Sequence, residues 1–244
     1  NGFSGAGVQI DGDRNRVECT FVGTNATGAA AVANGVGVQV RGGVSNTIGG
    51  VTASTRNLIA GNVGTGIHIA PDPTGADSHY NHVQGNFIGV QADGVTPLGN
   101  GQDGVTLDAT GGVNATLATT PTVASNLIGG EDDASGNRIA FNGGNGVTVR
   151  GGSDNRITAN VIYSNTLAGI ALADGGNDLQ PTPVISAAVN PSATATTLVT
   201  VTLSAAPETL YRLELFASPV CDASGAGEGT QRIDAFDVTT ASSG

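Results

Sequence analysis

Residues 155–172 read NRITANVIYSNTLAGIAL, and this stretch decides the fold. It holds three short aliphatic pieces, at 156–157, 161–163 and 169–172, separated by single asparagines. Apolar and polar residues that alternate over a few positions predict short β-strands. Asn between them predicts tight turns, because Asn tolerates the left-handed backbone conformation and its amide bonds to nearby backbone.

The same pattern recurs along the chain. A glycine begins each repeat of alternating aliphatic residues, at Gly7, Gly37, Gly66, Gly104, Gly146 and Gly169. Val147 and Ile170 are 23 positions apart, and this interval holds three strand-like pieces and three turns. Such a unit is typical of one coil of a parallel β-helix, in which each strand pairs with the strand of the next coil. Longer intervals upstream predict insertions at the turns, which face solvent.

Asparagines occupy the same turn positions in successive coils. Stacking would therefore place each Asn above another, so that their amides bond along the stack and satisfy one another when buried. The residues predicted to form these structural ladders are Asn46, Asn57, Asn62, Asn81, Asn86, Asn100, Asn126, Asn137, Asn142, Asn155, Asn160 and Asn165.

The sequence therefore predicts an all-β chain in two parts. Residues 1–185 are expected to form a right-handed parallel β-helix of about six coils. Residues 186–244 are expected to form a small, incomplete antiparallel β-sandwich module, with strands at 197–203, 210–217 and 232–239. Leucine-rich and WD-type solenoids do not fit, because the chain has no Leu ladder, no helical period and no Trp.

Composition excludes several kinds of partner. The net charge is -11, charged residues make up 12% of the chain, and every basic residue is Arg. An acidic chain without a basic cluster predicts no nucleic-acid binding, and no apolar run is long enough to predict membrane insertion. The two cysteines, Cys19 and Cys221, are predicted to be unpaired thiols, with a disulfide between the two parts as the alternative.

Four phrases carry a resemblance to a known group: NRITANVIYSNTLAGIAL, SNTIGG (45–50), NHVQGNFIGVQADGVTPLGNG (81–101) and NRIAFNGGNGVTV (137–149). They resemble the right-handed β-helix repeats of pectin-lyase-like proteins, above all the large bacterial extracellular proteins that carry such repeats. The resemblance covers about residues 1–185 and implies a secreted or cell-surface bacterial protein. It leaves activity open, because the group includes lyases, hydrolases, epimerases, tailspikes and adhesins.

The catalytic patterns of that group are absent from the sequence. Hydrolases of this fold need two or three carboxylates at close range, and lyases need a basic residue beside acidic residues that hold Ca²⁺. None of the acidic pairs of this chain is surrounded by the His and basic residues that the hydrolase motif requires, and neither Gly-His-Gly nor Arg-Ile-Lys occurs. The sequence therefore predicts no catalytic residues and favours a protein without enzymatic activity.

Two weaker sites remain as hypotheses. Three histidines and two aspartates lie near one insertion and are candidates for a metal, acid–base or ligand site, with a set of surface residues as the alternative: His68, Asp72, Asp77, His79 and His82. The loop around Gly175 is rich in oxygen ligands, so Asp174, Asn177 and Asp178 are candidates for Ca²⁺, although turn residues alone produce such a string. No cofactor is expected to be required.

Two functions follow from these observations. The first is a non-enzymatic extracellular structural or adhesive module, which binds copies of itself head-to-tail or by strand addition at an open sheet edge. The second is a carbohydrate-active or carbohydrate-binding protein, whose insertions at 71–78 and 110–125 would wall a groove for surface glycans. Partners are thus expected to be a second copy, giving a homo-oligomer or filament, or glycans.

Overall fold

The computed structural model describes residues 1–110, 122–190, 196–220 and 228–242, and its fold is all-β. Three parallel sheets run the length of the first part and form a parallel β-helix. Cys221 and the centre of the insertion predicted at 110–125 lie outside the described residues.

The largest sheet has six strands, one from each coil. They are β1 (Ala6–Ile10), β4 (Val36–Arg41), β7 (Ile67–Ala70), β11 (Val105–Asp108), β15 (Val147–Arg150) and β18 (Ile170–Ala173). The glycine-led pieces of the sequence thus pair with one another in parallel, as the repeat predicts. The six strands match the expected coil number.

Two five-stranded parallel sheets complete the coils. The second sheet contains β2 (Arg16–Val17), β5 (Thr47–Gly49), β9 (His82–Gln84), β13 (Leu127–Gly129) and β16 (Arg156–Thr158). The third contains β3 (Phe21–Val22), β6 (Leu58–Ile59), β10 (Phe87–Ile88), β14 (Arg138–Ala140) and β17 (Val161–Tyr163). A short parallel pair, β8 (Ser78–His79) and β12 (Val123–Ala124), adds a fourth side to two coils.

The core lies inside the coils and consists of stacked aliphatic columns. One column joins Val40, Ile69, Leu107 and Val149, each fully buried. Equivalent columns fill the other two sheets because parallel pairing brings the same position of every coil to the same place. Burial of each such side chain contributes about 1.5–3 kcal/mol.

The backbone at the turns corrects one expectation. The sequence predicts the left-handed conformation at Asn, but the residue before Asn adopts it instead, at positions such as Ser45, Tyr80, Ser125 and Ser164. None of the twelve predicted ladder asparagines has a positive φ. Asn is therefore required at the turns for its side chain rather than for its backbone.

The chain leaves the β-helix through a 3₁₀ turn at Gly176–Leu179. Two antiparallel hairpins follow: β19 (Val184–Val189) with β20 (Leu198–Thr202), and β21 (Leu210–Ala217) with β22 (Gln231–Thr239). Three of these strands match the segments expected at 197–203, 210–217 and 232–239. The fourth, β19, has no counterpart among them and begins at Val184, inside the range 1–185 that the sequence assigns to the β-helix. Among the described residues, no helix has the length and apolar character needed to cross a bilayer.

Candidate functional site

Most of the buried polar side chains are asparagines that form ladders along the stack of coils. In each of three ladders, the amide nitrogen Nδ2 of one Asn donates to Oδ1 of the Asn in the next coil. These distances are 3.0 Å from Asn46 to Asn81 and 2.8 Å from Asn62 to Asn100. The same Oδ1 also accepts the backbone N–H of the preceding Asn, at 3.0 Å from Asn46 to Asn81. The ladders therefore run in one direction, from donor to acceptor toward the C-terminus.

The second proton of most interior amides goes to a backbone carbonyl. Asn86 Nδ2, for example, donates to the oxygen of Ile48 at 2.9 Å as well as to Asn137 Oδ1 at 3.0 Å. Each such Asn thus uses two donors and accepts two bonds, which is the full capacity of the amide in this geometry. These side chains are committed to stacking and have no atoms left for a ligand.

The three ladders contain all twelve asparagines predicted from the sequence. The first joins Asn15, Asn46, Asn81, Asn126 and Asn155; the second joins Asn57, Asn86, Asn137 and Asn160; the third joins Asn34, Asn62, Asn100, Asn142 and Asn165.

Asn177 of the predicted calcium loop is the last member of the first ladder. Asn177 Oδ1 accepts from the backbone N–H and the Nδ2 of Asn155, at 3.0 and 3.3 Å. Asp174 faces Arg150 across 3.3 Å. Asn177 therefore has a structural role that the sequence did not indicate, and its side-chain oxygen is already engaged. Ca²⁺ binding by Asp174, Asn177 and Asp178 remains a prediction.

The five residues of the predicted histidine cluster do not form one site. His68 and His79 contact different partners. His68 lies half-exposed on the outer face of β7, with Nε2 3.8 Å from Asp108 Oδ2 on the next coil. The imidazole of His68, together with hydrogen bonds from Thr110, holds the pKa of Asp108 well below its usual range. Sequence spacing alone does not reveal this pair, because Asp108 lies one coil above His68 through the parallel register of β7 and β11.

His79 and Asp77 do lie close to each other, as the sequence-based cluster required. His79 Nε2 is 2.6 Å from Thr122 Oγ1 and 3.9 Å from Asp77 Oδ2. Asp77 Oδ1 also accepts the backbone N–H of Thr122 at 2.7 Å. Thr122 and Asp77 both lie beside Nε2 of His79. In a catalytic triad the two partners contact different ring nitrogens, so this imidazole cannot relay a proton between Thr122 and Asp77 in that way.

Asp72 and His82 have different surroundings. The Asp72 carboxylate accepts the backbone N–H of Ala76 and the hydroxyl and backbone N–H of Thr74. These bonds lower the pKa of Asp72 and hold the turn of its own loop. His82 is exposed on β9, between Thr47 and Leu127 of the neighbouring coils. Within the described ranges, no hydrogen bond or ion pair joins Asp72 or His82 to the other members of the cluster.

No group of three His, Cys, Asp or Glu side chains among the described residues has the arrangement of a metal site. The buried polar side chains in these ranges are all Asn, Ser or Thr, and no buried residue is ionisable. The site hypotheses therefore depend on partly exposed surface groups: the His68–Asp108 pair and the cluster of Asp77, His79 and Thr122. Cys19 is exposed at a turn.

The C-terminal hairpins form the other surface with unusual character. Large apolar side chains are exposed on both hairpins, among them Leu210 at 67% and Leu198 at 60%. A cavity of about 560 Å³ opens between the hairpins and is lined by residues that include Val199, Leu213 and Phe236. In the described part of the chain each hairpin is a separate two-stranded sheet.

Comparison with known proteins adds no assignment. The chain matches no protein-family model, no curated protein and no solved structure.

Proposed function

We propose that this chain is a non-enzymatic structural module of a secreted or surface-displayed bacterial protein, which extends the surface or binds other copies. The proposal rests on one observation above all: the buried polar side chains of the described residues are neutral, and most of them are asparagines that bond along the ladders. Enzymes instead gather ionisable groups with perturbed pKa values in a cleft. Export is inferred only from the resemblance of the repeats.

The exposed hairpins favour a role in association. Apolar side chains at Leu198, Leu210 and Phe236 border open strand edges, and open edges of this kind accept an added strand. Adhesion or assembly by strand addition is therefore part of the proposed function. Light scattering over a concentration series tests it: association that falls when Leu210→Asp is introduced supports this surface. A monomer at every concentration contradicts it.

A carbohydrate-active or carbohydrate-binding protein is the second candidate. It is favoured by the His68–Asp108 pair and by the cluster of Asp77, His79 and Thr122, which place imidazoles beside carboxylates on the solvent side. Such groups can bind sugar hydroxyls or transfer protons.

One assay series separates the two functions. The protein is incubated with polyuronates and neutral glycans, and unsaturated products, new reducing ends and binding are measured. The structural role predicts none of these signals. A product or bound glycan that is lost in both His68→Ala and His79→Ala, but retained in the exposed control His82→Ala, would establish the carbohydrate function instead.

A further inference from the structure

Two arginines on the outside of the third sheet contact the same aromatic ring. Six of the nine arginines of the chain form ion pairs with carboxylates. Of the other three, Arg14 is exposed at a turn. Arg56 and Arg138 are half-buried, and both contact the ring of Phe87. Within the part of the chain that the structure describes, no carboxylate forms an ion pair with either of them.

The strand register brings the two guanidiniums together. Phe87 of β10 lies beside Arg138 of β14 in the parallel pairing, and Arg56 precedes β6 on the other side of β10. The guanidinium carbon of Arg56 is 4.1 Å from the ring centroid of Phe87, and that of Arg138 is 5.7 Å from it. Both distances are within the range of cation–π contacts. One ring therefore holds two like charges at the same place on the surface.

Backbone carbonyls fix the orientation of both side chains. Arg56 Nε donates to the Gly85 oxygen at 2.9 Å, and Arg138 Nη1 donates to the Gly94 oxygen at 2.7 Å. A guanidinium has five N–H donors, so each of these side chains keeps donors that are not used. Among the described residues, only Arg232 has a buried side-chain nitrogen without a hydrogen-bond partner. The unbonded nitrogens of Arg56 and Arg138 are therefore in contact with solvent.

The two charges repel each other at this site. Burial and, to a smaller extent, the charge of Arg138 lower the pKa of Arg56. The carboxylate of Asp93, in the loop that Arg138 contacts, instead accepts bonds from Val95 and Thr96 of its own turn. A bound anion would offset the repulsion and accept the free N–H groups, since charge-assisted hydrogen bonds to guanidinium are strong.

The net charge of the chain restricts the ligand to a compact group. A chain of net charge -11 repels polyanions at long range. Within a screening length of about 8 Å at physiological ionic strength, the local pair of cations decides instead. The planar fork of Arg matches the oxygen atoms of a carboxylate or a phosphate, and such groups bind through two parallel hydrogen bonds.

We propose that Arg56 and Arg138, held on the ring of Phe87, form a binding site for a single oxyanion, a carboxylate or phosphate group of a ligand. The site goes beyond the proposed structural role. It shares no residue with the exposed hairpins or with the His68 and His79 contacts, so its failure leaves the tests of the proposed function unaffected.

An NMR titration of the isotope-labelled full chain tests the site, because side-chain Nε–H signals report on individual arginines. Sodium acetate and inorganic phosphate are added in separate series, with NaCl holding the ionic strength constant. We expect the Arg56 and Arg138 signals to shift to saturation in at least one series. The signal of Arg156, which is paired with Glu131, should stay unchanged. Saturation with acetate alone assigns a carboxylate, with phosphate alone a phosphate group, and with both a general oxyanion site.

Matched variants show whether the two arginines are responsible. Arg56→Gln and Arg138→Gln should each weaken binding about tenfold or more, because each removes charge-assisted hydrogen bonds. Arg156→Gln is the control, since it removes an arginine that already has a carboxylate partner, and it should bind as the parent does. Binding that survives in both of the first two variants, or that falls equally in the control, would overturn the proposal.

Two further results keep the proposal open to contradiction if a Gln variant does not fold. Arg56→Lys and Arg138→Lys keep the positive charge near Phe87 but lose the planar fork, so they should fold and bind more weakly than the parent. Binding as tight as that of the parent in both Lys variants would overturn recognition by the fork. In the parent itself, shifts of Arg56 and Arg138 that saturate with neither anion would overturn the site and leave these arginines only the role of covering Phe87.

Discussion

At the scale of single residues, Asn suits the ladders because its short side chain donates two hydrogen bonds and accepts two. Asn86 accepts from the backbone and side chain of Asn57 and donates to Asn137 and the Ile48 carbonyl. A buried donor or acceptor that loses its partner costs about 1–3 kcal/mol. Each interior Asn therefore supports two neighbouring coils as well as its own turn.

Replacing an interior ladder residue should cost far more than replacing a terminal one. We expect Asn86→Ala to lower the free energy of unfolding by about 2–4 kcal/mol, because it leaves the Asn57 donors buried without an acceptor. Asn15→Ala is the matched control, since this Asn is exposed and begins its ladder; its cost should be below about 1 kcal/mol. Urea unfolding measures both, and equal losses would contradict the ladder as a source of stability.

The His68–Asp108 pair predicts a pH dependence. The folded state lowers the pKa of Asp108, so the stability it contributes is present above the unfolded pKa near 3.9 and is lost as pH falls below it. Asp108→Asn should therefore be less stable than the parent protein at about pH 6, and the difference in unfolding free energy should shrink steadily as pH falls below about 4. Urea unfolding across this range measures the gap. In a His68→Ala background, the stability lost through Asp108→Asn should be smaller. A loss that grows as pH falls would contradict a stabilising contact between His68 and Asp108.

The loop at Asp174 gives a prediction about calcium. Asn177 Oδ1 is engaged by Asn155 and Asp174 faces Arg150, so two of the three proposed ligands already have partners. We expect the same Tm with Ca²⁺ and with a chelator. A rise in Tm with Ca²⁺ that Asp174→Asn abolishes would instead establish a calcium site in this loop.

At the scale of elements, close stacking of turns requires glycine at a few points. Gly89 follows β10 with φ +84°, and a Cβ there would overlap the carbonyl oxygen of Ala140 in the next coil. Gly89→Ala should therefore cost at least about 2 kcal/mol, from backbone strain and from separation of the coils. Gly5→Ala is the control, since a Cβ at Gly5 meets nothing within 4 Å. Thermal unfolding compares them, and equal Tm values would contradict this tight stacking.

The elements also show what the sequence could predict. Periodicity located the core strands, since Val147–Arg150, Arg156–Thr158 and Val161–Tyr163 match the expected pieces closely. Repetition identified the ladders because successive coils carry Asn at the same turn. Residues used once leave no such signal: Asp108 meets His68 only through the register of two strands, and Glu214 meets Ala159 from 55 positions away.

At the scale of the whole molecule, the repeated residues are explained by stacking of the coils. The residues that occur once, and that are candidates for function, lie on the surface and at the ends of the β-helix. The core columns and the ladders continue through successive coils, so each coil gains stability mainly from its neighbours. Such a stack is expected to unfold cooperatively in its interior, while the hairpins, with little buried surface of their own, open more easily.

Amide hydrogen exchange along the full chain tests this stacked architecture most directly. We expect the backbone amides of the three central strands of the largest sheet, at 67–70, 105–108 and 147–150, to be the slowest and to exchange at one common rate. The hairpin amides at 184–189 and 198–202 should exchange much faster. Slow exchange in the hairpins with rapid, uncorrelated exchange in these three core strands would contradict a β-helix held together by its ladders and columns.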